Sequence, residues 1–167
     1  MASDGAFGCV IIATGLERDP ERAQLVDDHL DALIALATML DAAPVVVVHD
    51  GTVRVAAPAR AFRMPRAERD DLSAVRLGLM QLTNSPVDAA LILPIESHDS
   101  SSTMLTRMIR ESRERGVLIA AAATNGSLGF PLFAARDSWR ELMTTEGGIE
   151  AVLRQQGPRI LAIEAGD

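Results

Sequence analysis

Hydrophobic positions along this chain alternate between two patterns. Short continuous apolar runs are separated by longer stretches with apolar residues every three or four positions. Gly8 to Thr14 is such a run, ends at Gly15 and predicts a buried parallel strand. Leu16 to Gln24 reads as a charged loop. Leu25 to Leu40 carries Leu25, Leu30, Leu33, Ile34, Ala37 and Leu40 at helical spacing. Pro44 opens a second buried strand, Val45 to Val48. The Asp50-Gly51 turn signal predicts that Thr52 to Ala56 pairs back as a short strand. Ala57 to Arg69 is the least regular segment, with Arg60, Arg63, Arg66 and Arg69 among its residues.

Asp70 and Asp71 predict a helix start, since acids favour an amino terminus. Its apolar face is Leu72, Val75, Leu79 and Leu82, and Asn84-Ser85-Pro86 ends it. The run Ala89 to Ile95 is a third buried strand with a polar tip, Glu96 to Asp99. Ser100 to Ser102 supply a cap for the next helix, which Gly116 stops. Val117 to Ala123 is a fourth strand, followed by the loop Asn125 to Phe133. Asp137 is expected to cap a short helix holding Trp139, Leu142 and Met143. Gly147-Gly148 precedes another helix, and Arg159 to Glu164 is a final strand. Strand and helix alternate throughout. This predicts an α/β fold, a three-layer α/β/α sandwich with a largely parallel sheet, in one domain of 167 residues. Ligands of such sheets bind beyond the carboxyl ends of the strands. That rule points to Gly15 and its loop, Asp50, Glu96 to Asp99, and Thr124 to Gly129.

Composition narrows the chemistry. No apolar run reaches the roughly 18 residues of a membrane span. The amino terminus lacks the basic region of a signal peptide, and Cys9 is the single cysteine, so a cytoplasmic location is expected, with Cys9 an inert core residue. The net charge of −7 argues against nucleic acid as a partner. Every cationic side chain is arginine. No lysine is available as phosphate clamp, base or Schiff-base former, and aromatics are only 3%, too few for a base-stacking platform.

Five segments, in order, resemble the molybdenum-cofactor guanylyl- and cytidylyltransferase family, which has the GT-A-like nucleotide-diphospho-sugar transferase fold. Ile12-Ala13-Thr14-Gly15 stands where that family has Leu-Ala-Ala-Gly. Ser73 to Leu79 is similar to its Ser-x-x-x-Gly-Leu helix start, and Leu91 to Glu96 to its strand ending in Asp-x-Pro. Gly126 to Phe133 resembles Gly-x-x-Gly-His-Pro-x-x-Phe. Glu146 to Leu153 resembles the Gly-x-x-x-Leu-Leu segment before the last strand. The resemblance implies transfer of a nucleoside monophosphate from a nucleoside triphosphate to a phosphorylated acceptor such as molybdopterin, with Mg2+. It puts Ala13, Gly15, Arg18, Arg22 and Ser73 on the nucleotide. It makes Glu96 the catalytic carboxylate and Glu96 with Asp99 the metal ligands.

The departures are chemical. The family's first loop is rich in glycine and serine, with an arginine and a lysine for the triphosphate. By counting, Asp19 stands at that arginine and Gln24 at that lysine, and Pro20 donates no N–H. Glu96 replaces an aspartate, Phe130 replaces a histidine, and the family's Asp-x-Asp-Thr-Pro carboxylates have Asp167 as the available substitute. The alternative is a non-catalytic relative that binds a protein partner. Several residues keep two readings. Glu96 and Asp99 are a metal pair, or Asp99 or Ser100 caps the next helix and Glu96 is a solvated loop acid. His98 is a loop histidine or a base. His49 ends a strand at the ligand edge, His29 is a surface or packing residue, and the arginines at 60 to 69 are solvated or meet an anion.

Overall fold

The computed structural model describes residues 5–16, 18–64, 71–146 and 148–165. Arg66, Arg69, Asp70, Gly147 and Asp167 lie outside the described residues. Strand β1 (Phe7–Ala13) is buried along its whole length. Helix α1 (Pro20–Met39) leads to β2 (Val45–His49), and a connection leads to β3 (Arg60–Arg63). Helix α2 (Asp71–Leu82) precedes β4 (Ala89–Pro94), a 3₁₀ turn (Ile95–Asp99) and α3 (Ser102–Arg115). Then come β5 (Ile119–Thr124), β6 (Ser127–Ala135), α4 (Trp139–Thr144), α5 (Gly148–Gln156) and β7 (Ile160–Glu164). The seven strands form one sheet in the order β3-β2-β1-β4-β6-β5-β7, with β6 alone antiparallel to its neighbours.

The alternation of β1 explains the three layers. Phe7, Cys9, Ile11 and Ala13 join one core, under α1 and α3, with Leu30, Leu33, Leu105 and Met108. Val10 and Ile12 join the other, under α2, α4 and α5, with Val75, Leu79, Leu82, Trp139 and Val152. Successive side chains of a strand point to opposite faces, so an unbroken apolar run is what a strand covered on both faces requires. The predicted α/β architecture is therefore present. Among the described residues, no helix is long and apolar enough to cross a membrane.

Four local expectations are corrected. Helix α1 begins at Pro20, inside the segment read as a charged loop. Asp19 caps it, accepting from the N–H groups of Glu21 (3.0 Å) and Arg22 (3.3 Å), with proline and glutamate in the first turn. Those charges are a helix-start signal, since the cap and acids satisfy the free amino-terminal N–H groups. Thr52 to Ala56 does not pair back; β3 lies within the segment read as irregular and pairs parallel to β2. As the sheet's edge it is largely exposed, so no apolar run announces it. Asn125-Gly126 is a two-residue hairpin turn with φ of 51° and 82°, and what was read as a loop is mostly β6. Its pairing with β5 shifts between Ala121 and Ala122, so Phe130 and Pro131 form a bulge. Asp137 caps nothing: it lies in a 3₁₀ turn, and Ser138 precedes α4 without a side-chain capping bond. For α3 the cap is Ser101, within the predicted serine run, whose Oγ accepts from Met104 N–H at 3.0 Å.

Helix α2 approaches β1 most closely at Gly78. A Cβ there would stand 2.3 Å from Val10 Cγ1. The glycine of the Ser-x-x-x-Gly-Leu likeness is thus a packing requirement between layers. Gly78→Ala is expected to destabilise the fold by about 1–3 kcal/mol, the usual cost of overpacking. Urea unfolding checks this, and unchanged stability would refute the contact.

Candidate functional site

Sheet register brings three loops together. Ala13 pairs with His49, and Ile12 pairs with Pro94. The segments after β1, β2 and β4 therefore leave the sheet side by side, at the carboxyl edge where such folds bind ligands.

Gly15 turns the chain out of β1 with φ +80°, a conformation that side chains other than glycine rarely adopt. Its N–H donates to Asp50 Oδ2 at 2.7 Å, and the N–H of Leu16 donates to Asp50 Oδ1 at 3.1 Å. Asp50 is 2% exposed. Next to it, a Cβ on Gly51 would meet Leu16 Cβ at 3.1 Å, so the two loops are pressed together.

Arg22, three residues into α1, folds back over this turn. Its Cδ lies 3.4 Å from where a Gly15 Cβ would be. Arg22 Nη1 forms an ion pair with Glu96 Oε1. Its Nε and Nη2 are buried with no hydrogen-bond partner. These two nitrogens form one side of the guanidinium fork, the geometry that receives two oxygens of a carboxylate or phosphate. Glu96 is half exposed, at 48% of its side chain. Asp99 is exposed and stands three residues later on the same 3₁₀ turn, where residues three apart eclipse.

The structure thus gathers Gly15, Arg22 and Glu96, with Asp99 on the same turn. The other residues implied by the resemblance are placed differently. Ala13 is fully buried in the core beneath α1, so only its backbone faces the edge. Arg18 is exposed in the loop. Ser73 lies in the first turn of α2, half-buried, on the opposite layer from α1. Cys9 is buried, which raises its thiol above the ordinary value and makes it inert.

His29 and His98 are stacked, with ring centroids 3.9 Å apart and planes within 7°. Sequence reasoning left His98 without a second histidine. The available signal was the spacing of Arg22 and His29, seven apart on one helix face, opposite Glu96 and His98. Asp50 was placed at the strand edge, but its contact with Gly15 follows from strand register alone. Among the described residues, no group of three or more His, Cys, Asp or Glu side chains could hold a metal ion. Two grooves lie elsewhere. One of about 510 Å³ separates α1 from residues 53–56, and one of about 600 Å³ sits by Gly5, Leu40 and Arg110.

No protein-family profile matches this chain, and no curated protein matches it in sequence. Solved structures do. Rv0371c from Mycobacterium tuberculosis H37Rv superposes with a TM-score of 0.74 at 15% identity, covering 97% of this chain and 90% of that one. A structure of the same protein in complex with manganese superposes at 0.67, with 14% identity and the same coverage. The 4-diphosphocytidyl-2C-methyl-D-erythritolsynthase of Anaerococcus prevotii DSM 20548 gives 0.73 at 9% identity, covering 97% and 88%. CMP:2-keto-3-deoxy-manno-octonic acid synthetase complexed with CTP gives 0.71 at 11%, covering 97% and 90%. At such identities the likeness is one of fold. The chain has the fold of nucleotide-diphospho-sugar transferase-like proteins, as the resemblance implied; the narrower molybdenum-cofactor family is not shown.

His49 ends β2 next to Asp50 and is buried. Its Nδ1–H donates to the Gly51 carbonyl at 3.0 Å. Burial holds its pKa below the ordinary value, with Arg63 acting in the same direction; the Gly51 bond and Asp50 oppose this only partly. The folded state therefore favours neutral His49. That stabilisation is present above the ordinary histidine value of about 6.5 and is lost as pH falls below it. Thermal unfolding midpoints are expected to drop on acidification through this range, and His49→Asn should flatten that part of the profile. Parallel profiles for the two proteins would refute the assignment.

Proposed function

We propose that this chain is a nucleotidyltransferase-like protein that receives nucleotide phosphates at the carboxyl edge of β1 and β4. The observation that carries this reading is Arg22 over Gly15, whose Nε and Nη2 are buried without a hydrogen-bond partner. Leaving buried donors unpaired costs about 1–3 kcal/mol, and a phosphate with two oxygens on that fork would recover it. The fold neighbours include a CTP complex and a manganese complex, which supports a nucleotide and a divalent ion as ligands.

In this reading Arg22 grips a phosphate and the Gly15 turn lets the ligand approach the backbone, while Arg18, exposed in the loop, and Ser73, half-buried on α2, are the further nucleotide contacts that the resemblance implies. Glu96, with Asp99 one turn on, would hold a magnesium ion, which neutralises triphosphate charge when bound. The acceptor, a phosphorylated small molecule such as molybdopterin, would attack the α-phosphorus in line and release pyrophosphate. The chain's own contribution is positioning and charge neutralisation. A second reading, a non-catalytic module for a protein partner, is favoured by one specific observation. Four N–H groups of the β1–α1 loop and the first turn of α1 are already bound by Asp19 and Asp50.

Calorimetric titration with CTP and GTP, with and without Mg2+ or Mn2+, tests the first reading. Arg22→Ala is expected to weaken nucleotide binding at least about tenfold, equivalent to about 1.4 kcal/mol. Glu96→Gln should remove the metal dependence. Both variants binding like the unsubstituted protein would exclude the site. Nucleotide binding with no pyrophosphate released from the nucleoside triphosphate in the presence of a phosphorylated acceptor would select the second reading for the chemistry.

A further inference from the structure

The loop after β1 contains an anion supplied by the protein itself. Gly15 and Leu16 present consecutive N–H groups, and the positive φ of Gly15 shapes that turn. Consecutive backbone donors of this kind make a concave seat for an anion. Asp50 fills the seat with both carboxylate oxygens, at 2.7 and 3.1 Å, and is almost entirely withdrawn from solvent. Asp19 does the same for the N–H groups of Glu21 and Arg22 at the start of α1. Beside Gly15, the Nε and Nη2 of Arg22 are buried without a hydrogen-bond partner.

We propose that Asp50 is a built-in occupant of the phosphate seat, an autoinhibitory contact that a phosphate-bearing ligand must displace to reach Gly15 and Leu16. The proposal rests on the reading of Arg22 and Gly15 as the phosphate-receiving edge. Two features support a competing role for this carboxylate. It follows β2, so it belongs to a different segment of the chain from the two donors it holds. It is also a full negative charge at hydrogen-bond distance from donors that an incoming phosphate needs, and like charges at such range repel strongly. Gly51, the next residue, packs against Leu16 beside the seat.

The test uses inorganic pyrophosphate as probe, titrated into the unsubstituted protein, Asp50→Asn and Arg22→Ala, with thermal unfolding confirming that each is folded. Asp50→Asn is expected to tighten pyrophosphate binding at least about tenfold, the direction set by removing a neighbouring like charge. If Asp50→Asn does not fold, the unsubstituted protein is followed by amide NMR, where pyrophosphate should shift the Gly15 and Leu16 resonances. Arg22-dependent binding of equal strength in the unsubstituted protein and Asp50→Asn would overturn the gate while leaving the site reading intact. Weaker binding by Asp50→Asn would also overturn it and make Asp50 a positioning residue. Absence of Arg22-dependent binding in both would overturn the site reading together with the gate. Unmoved Gly15 and Leu16 resonances at saturating pyrophosphate would likewise overturn the gate.

Discussion

Strand β1 is covered on both faces, and every other part of the molecule is arranged by that burial. Its odd residues fill the core beneath α1 and α3, and its even residues fill the core beneath α2, α4 and α5. A strand with no solvent face must be flanked by strands on both sides and helices above and below. Parallel pairing to β2 and β4 then sets their carboxyl ends level with its own. The site is a consequence: three loops emerge at one edge because three strands are held in register by a common core.

Charge at this edge is balanced internally. The chain is acidic and has no lysine, so each arginine's position matters. Several arginines hold the scaffold. Arg113 donates to both carboxylate oxygens of Asp88 at 3.0 and 3.1 Å and to the Gly5 carbonyl at 2.7 Å. Arg136 satisfies the Ser85 and Val87 carbonyls, both at 2.9 Å, and lies over the Trp139 ring. Arg76 reaches the Thr145 carbonyl at 3.0 Å. Arg22 differs because it pairs with a carboxylate, Glu96, while both its Nε and Nη2 lack a hydrogen-bond partner, where Arg76 leaves only its Nε so. The carboxylate and cation implied by the family resemblance thus neutralise each other, while Asp19 and Asp50 quiet the backbone donors. The same edge that a nucleotide would need is organised to be stable without one.

The layers, helix faces and most strands were legible because they depend on local periodicity and on burial of continuous apolar runs. Where the reading failed, a local signal was masked by position or charge. The start of α1 was hidden because Asp19, Pro20 and Glu21 look like loop residues when counted as charges and like a cap when their hydrogen bonds are known. Strand β3 was hidden because an edge strand needs no apolar face. Of the candidate site, Gly15, Arg22 and Glu96 were legible individually.

The sequence alone determined the alternation of strands and helices, their two buried faces and the absence of lysine at the edge. These follow from residue type and short-range spacing. Tertiary structure decided which charges meet: Arg22 with Glu96, Asp50 with Gly15 and Leu16, and His29 with His98. It also decided that β6 runs antiparallel between β4 and β5. Each of these contacts joins residues brought together by strand register or helix packing, and no local pattern encodes the partner.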